Sequence, residues 1–67
     1  MMTIYLNGNK FVIKDAMSVQ ELLEYLQIPM HMVMVEHNAQ MLPKSQWKLV
    51  KLQALDRMEI ITFVPGG

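Results

Sequence analysis

The sequence predicts a small α+β domain in which a mixed sheet of four or five strands wraps around one helix. Three observations predict it: an alternating segment with an Asn-Gly turn at the start, one amphipathic helix, and an apolar closing strand at residues 58–64. The closing strand has apolar side chains on both faces, which is typical of an interior strand. We therefore expect the first and last strands to lie side by side at the centre of the sheet.

The first two strands are predicted to form a hairpin. Residues 2–6 alternate between apolar and partly polar side chains, and residues 11–13 resume a β-rich pattern. Between them, Asn7, Gly8 and Asn9 supply the residue types that tolerate a positive φ. This pattern predicts a tight reversal of the chain.

The helix is predicted to begin after Ser18. Ser18 is followed three positions later by Glu21, a spacing that lets each side chain bond a free backbone amide at a helix start. An apolar stripe follows at the spacing of one helix face, formed by Val19, Leu22, Leu23 and Leu26. Pro29 then ends a helix of about ten residues, whose stripe we expect to face the sheet.

The second half of the chain contains shorter elements. Residues 33–36 predict a third strand, and the polar residues 37–40 predict a turn before a brief return at residues 41–42. A helical turn should then bring Trp47 against the body of the domain. Residues 49–52 are predicted to form another short edge strand.

The chain closes on a Pro-Gly-Gly sequence. We expect a folded body at residues 1–64 and a flexible tail at residues 65–67. Gly66 and Gly67 lack side chains, so they can enter a narrow channel and leave the Gly67 α-carboxylate unshielded. This predicts that the reactive group is the chain terminus itself. The alternative is an ordinary frayed terminus, because glycine is common where order stops.

Composition argues against several classes of function. The 67 residues contain no cysteine, and six basic residues balance six acidic ones without a basic run. A thiolate nucleophile or a disulfide is therefore excluded, and the electrostatic pattern of a nucleic-acid-binding protein is missing. The sequence also shows no membrane-spanning run and no secretory leader. We expect a soluble cytoplasmic protein that binds neither nucleic acid nor membrane.

The other polar side chains give little support for catalysis. His31 and His37 lack the spacing of a metal pair, and Ser18 and Ser45 lack a neighbouring base. The acidic residues are interpreted as solvated or capping groups; they are Asp15, Glu21, Glu24, Glu36, Asp56 and Glu59. We expect no bound cofactor and no metal.

Taken together, these segments resemble the ThiS family, sulfur carriers of thiamine biosynthesis with a ubiquitin-like β-grasp fold. The resemblance covers essentially the whole chain, and it rests on the Asn-Gly hairpin, the helix start at residues 18–23, the strand at 33–36, Trp47 and the closing residues 59–67. Many relatives carry an acidic residue with glycine in the turn before the last strand. Here that turn has the sequence Ala-Leu-Asp-Arg, which changes the turn and leaves the terminus unaltered.

The resemblance implies a protein co-substrate, not an enzyme. It implies that an activating enzyme adenylates the Gly67 carboxylate with ATP, and that a sulfur donor then converts it to a thiocarboxylate. Gly66 would supply flexibility. The sulfur would be delivered to the forming thiazole ring at a thiazole synthase, so the implied partners are that synthase and the adenylating enzyme.

The resemblance also implies a docking surface beside the terminus. One face of a β-grasp sheet packs on the helix, which leaves the other face of the last strand partly uncovered. Ile61 and Phe63, or their alternates Ile60 and Val64, would then form an exposed apolar patch. The expected partner-binding residues are Ile61, Phe63, Val64 and Pro65.

Two alternatives remain open. The small subunit of molybdopterin synthase uses the same chemistry with a different sulfur acceptor. A ubiquitin-like conjugation or interaction module would instead join Gly67 to lysine side chains as an isopeptide.

Overall fold

The residues described by the structure form one mixed sheet and one α-helix. The computed structural model describes residues 1–63, and residues 64–67 lie outside the described part of the chain. In chain order the elements are β1 (Met2–Leu6), β2 (Asn9–Ile13), α1 (Val19–Tyr25), β3 (Val33–His37), β4 (Gln40–Met41) and β5 (Arg57–Thr62). The strand order across the sheet is β2-β1-β5-β3-β4. The predicted α+β class is confirmed.

Strand β5 lies at the centre of the sheet, between the first and the third strands. It runs parallel to β1, where Leu6 lies opposite Met58, and antiparallel to β3, where Val35 lies opposite Ile60. The predicted neighbourhood of the first and last strands is therefore confirmed. Because β5 is bonded on both sides, it is an interior strand of the sheet, as its two-sided apolar pattern indicated.

The β1–β2 hairpin turns through two residues. Leu6 lies opposite Asn9, and the loop between them consists of Asn7 at φ 49° and Gly8 at φ 83°. A two-residue turn that matches the twist of its strands needs a positive φ at both central positions, which Asn and Gly tolerate best. Asn9 is the first residue of β2 and lies outside the turn.

The side chain of Asn7 continues the sheet after β1 has turned away. The backbone N–H of Asn7 donates to the Met58 carbonyl at 2.8 Å. Its side-chain Oδ1 accepts the Ile60 N–H at 2.7 Å, and its Nδ2 donates to the Ile60 carbonyl at 3.2 Å. The amide thus takes the place of one more strand residue alongside β5.

The helix begins as the sequence predicts. Ser18 Oγ accepts the Glu21 N–H at 3.1 Å, and Glu21 Oε1 accepts the Ser18 N–H at 2.8 Å. These two bonds form the complete capping box. Three residues of the predicted stripe are fully buried, namely Val19, Leu22 and Leu23.

The helix ends earlier than predicted. It stops at Tyr25 because Gln27 adopts a left-handed backbone with φ 57°, two residues before Pro29. The Ile28 N–H then donates to the Leu23 carbonyl, and the Gln27 N–H donates to the carbonyl of residue 24. These two bonds are those of a Schellman motif, so backbone hydrogen bonding, not proline, ends the helix.

The third strand and its return lie close to the predicted positions. Asn38 and Ala39 form the turn between β3 and β4, both with a positive φ, at 51° and 70°. The return was predicted at residues 41–42 and is found at Gln40–Met41. Asn38 also bonds β5, since its Oδ1 accepts the Arg57 N–H at 2.9 Å.

Trp47 packs into the core, as predicted. It is 2% exposed and follows a short 3-10 helix at Lys44–Gln46. Its indole Nε1 donates to the Leu42 carbonyl at 3.0 Å, so burial leaves the ring nitrogen paired.

The prediction of an edge strand at residues 49–52 is wrong. The amides of Leu49 and Val50 both donate to the Gln46 carbonyl, at 2.9 and 3.1 Å, so local turn bonds use groups that a strand would offer to a neighbour. Lys51 makes an isolated bridge to the residue that caps α1.

The interpretation of Asp56 as a solvated or capping group is also wrong. Asp56 is 8% exposed, and its carboxylate accepts the Gln53 N–H at 2.8 Å and Asn38 Nδ2 at 3.2 Å. His37 Nε2 lies 2.8 Å from its Oδ2. Burial raises the pKa of Asp56, but the hydrogen bonds from His37, Gln53 and Asn38 outweigh it and hold the pKa below its ordinary value. The cluster joins β3 to the start of β5.

Replacing Asn7 by Asp should destabilise the fold. The substitution keeps the acceptor for the Ile60 N–H and tolerates the positive φ, but it places a carboxylate oxygen against the Ile60 carbonyl. We expect the free energy of unfolding in urea to fall by about 1–3 kcal/mol. Asn9→Asp is the matched control, because Asn9 is exposed and should change stability by no more than about 0.5 kcal/mol. Equal effects of the two variants would contradict the role of Asn7.

Replacing Asp56 by Asn should make the free energy of unfolding vary less with pH in the acid range. Because the native pKa lies below the ordinary value of 3.8, this carboxylate stabilises the fold above that value. The stabilisation is lost as pH falls through the lower native pKa. We expect Asp56→Asn to cost about 1–3 kcal/mol near neutral pH, with a difference from the wild type that shrinks below pH 3.8.

Urea unfolding of both proteins across this range measures the effect of Asp56. The pKa of Glu21 is also lowered, mainly by the Ser18 backbone hydrogen bond, but it titrates in both proteins and cancels in the difference. A difference that stays constant with pH would show that the charge of Asp56 has no part in the stabilisation.

Candidate functional site

Four of the six predicted site residues lie outside the described part of the chain. They are Val64, Pro65, Gly66 and Gly67, which include the whole predicted tail. The described chain ends at Phe63, directly after β5, and its N–H donates to the Met32 carbonyl at 3.0 Å. The described part of the chain therefore stops at the end of the central strand.

Ile61 lies on the exposed face of β5, and Phe63, the residue directly after β5, is exposed as well. Side chains alternate along a strand, and Met58 is fully buried while Ile60 packs partly buried against the core. Ile61 and Phe63 are 38% and 42% exposed. The sequence left open whether Ile61 and Phe63 or Ile60 and Val64 face outward. Ile61 and Phe63 are the exposed set.

Met34 extends this surface, and the sequence analysis did not identify it. Met34 lies directly opposite Ile61 in the β3–β5 pairing and is 42% exposed. The signal was present in the alternation of β3, because Val33 and Val35 point inward and the residue between them must point outward. We call Met34, Ile61 and Phe63 the β3–β5 patch.

Two carboxylates lie next to the β3–β5 patch. Glu36 and Glu59 lie opposite each other in the same pairing, two residue pairs beyond Met34 and Ile61, and both positions alternate onto the outer face. Like charges directly opposite each other on one face of a sheet are unfavourable. A positively charged group of a partner would relieve this repulsion and suit the surface electrostatically.

Residues 1–63 present exposed apolar and charged side chains on the outer face of the sheet. A depression of about 520 Å³ on this side is lined by Tyr5, Gly8, Leu55, Arg57 and Glu59, without a nucleophile beside a base. Within residues 1–63, every buried side-chain nitrogen and oxygen has a hydrogen-bond partner. In the same range, no three His, Cys, Asp or Glu side chains are arranged to hold a metal ion.

The two histidines have separate surroundings. His37 contacts Asp56 within the fold, whereas His31 is exposed in a 3-10 helix at Met30–Met32. Across the described part of the chain, no helix has the length and apolar character needed to cross a membrane.

The chain is similar to several known proteins along nearly its whole length. The sulfur carrier protein ThiS of Bacillus subtilis is 37% identical over 54 residues, which cover 81% of this chain and 82% of that protein. A crystal structure of the thiamine biosynthesis protein ThiS from Geobacter metallireducens matches with a TM-score of 0.85 and 26% identity, and the match covers 98% of this chain and 100% of that one.

A longer relative is a thiazole synthase of Paramagnetospirillum magneticum. It is 33% identical over 66 residues, which are 98% of this chain and 20% of that protein, so the chain spans about a fifth of its length. The model of the ThiS family matches residues 3–67. With a β-grasp sheet and helix that superpose on a ThiS structure, and a family match that runs to Gly67, the chain belongs to the ThiS family.

Proposed function

We propose that this protein is a sulfur carrier of thiamine biosynthesis, and that it carries sulfur as a thiocarboxylate on Gly67. One observation carries the proposal: the ThiS family match extends through residue 67 and so includes the terminal Gly66 and Gly67. The similarity to the Bacillus subtilis sulfur carrier supports the same function.

The chemistry requires two substitutions at one carbonyl group. A carboxylate oxygen of Gly67 first attacks the α-phosphate of ATP, pyrophosphate leaves, and the resulting acyl adenylate contains a good leaving group. Hydrosulfide from the sulfur donor then attacks the acyl carbon and AMP departs, and loss of the S–H proton leaves the thiocarboxylate. Since the chain contains no cysteine, an external donor supplies the sulfur.

Glycine at position 67 suits both substitutions. Without a Cβ, the acyl carbon is open to a nucleophile from either side, and Gly66 adds no side chain to the approach. Four residues follow Phe63, and a fully extended segment of that length spans at most about 14 Å. The enzyme that acts on Gly67 must therefore come close to the end of β5.

We propose the β3–β5 patch as the surface on which the partners dock. Its three exposed apolar side chains lie where β5 ends, which is where a partner must approach to reach the terminus. The proposed partners are an adenylating enzyme and a thiazole synthase. The match within a longer thiazole synthase supports the second partner, because there a similar segment is part of the same polypeptide.

Incubation with an adenylating enzyme, ATP and a sulfur donor should increase the intact mass by about 16 Da, the difference between oxygen and sulfur, localised to Gly67. Deletion of Gly67 should abolish the increase and leave the unfolding curve unchanged. The Bacillus subtilis carrier serves as a positive control for the enzyme mixture. If that control gains mass and this protein does not, or if Gly67 is found in isopeptide bonds to lysine, the proposal is wrong.

Replacing Ile61 by Glu should slow sulfur loading. The substitution places a charge in the β3–β5 patch, so it should weaken docking and lower kcat/KM for thiocarboxylate formation by about tenfold or more, mainly through KM. Leu49→Glu is the matched control, because Leu49 is also exposed but lies in the loop before Lys51. Leu49→Glu should unfold within about 0.5 kcal/mol of the wild type, whereas Ile61→Glu, which adds a carboxylate near Glu59, should lose about 1 kcal/mol and remain folded. Equal kcat/KM for the two variants would contradict docking at the patch.

A further inference from the structure

The outer edge of β2 has backbone groups that no other strand within residues 1–63 uses. β2 is the terminal strand on one side of the sheet, and β1 is its only paired neighbour among the described strands. Thr3 and Tyr5 direct their backbone groups toward the β5 side of β1, so Ile4 and its neighbours at alternate positions bond β2. In the hairpin register, Ile4 lies opposite Phe11.

The free groups on β2 follow from this alternation. Residues at positions 9, 11 and 13 face β1, so the N–H and C=O groups of Lys10 and Val12 face outward. Within residues 1–63, neither residue makes a backbone hydrogen bond to a turn or loop. An exposed edge of this kind can accept another extended segment as an additional strand.

A groove runs along the same edge. It has a volume of about 500 Å³, and its lining residues come from β2, the loop that follows it, the end of α1 and Met1 at the start of the chain. Val12 and Tyr25 in this lining are 54% and 70% exposed, and Phe11 and Met17 are only partly buried. An added strand would place one set of alternate side chains against Phe11, Met17 and Tyr25, whereas Val12 lies on the opposite face of β2.

The charges along the edge favour a particular partner. Lys10 and Lys14 alternate onto the face that carries Val12, while Asp15 contributes one negative charge to the groove. Two copies of β2 paired edge to edge would bring four lysines onto one face, which disfavours self-association. A segment with acidic residues on that face would instead pair with the lysines.

We propose that the free edge of β2 and its groove bind an extended segment of another protein in which apolar and acidic residues alternate. The apolar side chains face Phe11, Met17 and Tyr25, and the acidic side chains face Lys10 and Lys14. This site lies apart from the β3–β5 patch and does not depend on the proposed sulfur chemistry.

The probe is a synthetic peptide, acetyl-Glu-Val-Glu-Ile-Glu-Val-Glu-amide, titrated into the isotope-labelled full chain. We expect the amides of Lys10 and Val12 to shift and to gain protection from hydrogen exchange, since they become strand donors. A peptide with Pro in place of Ile removes one N–H and should not bind. A peptide with Lys in place of Glu should bind more weakly.

The matched protein variants test the charge requirement. Lys10→Glu combined with Lys14→Glu should weaken binding by about threefold to tenfold, whereas Lys48→Glu, an exposed lysine on another loop, should not. A Val12→Pro variant removes an outward N–H while sparing the bonds to β1, and it should also lose binding if its amide spectrum remains that of a folded protein.

Three results would overturn the proposal. They are the absence of shifts at Lys10 and Val12 up to millimolar peptide, shifts confined to Met34 and Ile61, and protection of the β2 amides that rises with protein concentration alone. The last result would identify a second copy of this chain as the occupant.

Discussion

The fold depends on the insertion of β5 between β1 and β3. The N-terminal hairpin and the β3–β4 return are otherwise separate, and β5 joins them through a parallel pairing on one side and an antiparallel pairing on the other. Met58 at this junction is fully buried, and the helix face covers the sheet at the same place. Removing β5 would leave two small hairpins, which are marginally stable on their own in water.

The same insertion explains the specific contacts around β5. Asn7 completes the pairing on the β1 side, and the cluster of Asp56, His37 and Asn38 secures the entry into the strand on the β3 side. In both places, polar side chains accept hydrogen bonds from backbone amides that have no partner in the neighbouring short strand. They hold the strand from which the chain continues toward its terminus.

The local features of the fold were predictable from the sequence. The Asn7-Gly8 turn and the Ser18–Glu21 capping box act over four residues or fewer, so nothing distant has to be known. The central position of the last strand was also predictable, because apolar residues on both of its faces indicate an interior place. The helix end at Tyr25 was missed, since Gln27 adopts a left-handed backbone and glutamine gives little signal for that conformation.

The features that depend on tertiary contacts were not predictable. The burial of Asp56 requires knowing that His37 and Asn38 lie beside it, and the loop at residues 49–52 bonds to a turn and to the helix start. For the candidate site, Ile61 and Phe63 were named, but the outward set could not be chosen because both sets are apolar. Met34 joins them only through the strand register. The role of Gly67 and the docking of partners stay predictions.

The position of β5 also has a consequence for how the protein is made. Translation runs from the N-terminus, so the nascent chain can form its hairpin and helix while the middle of the sheet is still empty. A chain that stops before residues 57–62 lacks its central strand and exposes apolar surface that proteases and chaperones act on. Only chains that have been translated through residues 57–62 can therefore complete the sheet and bury this surface.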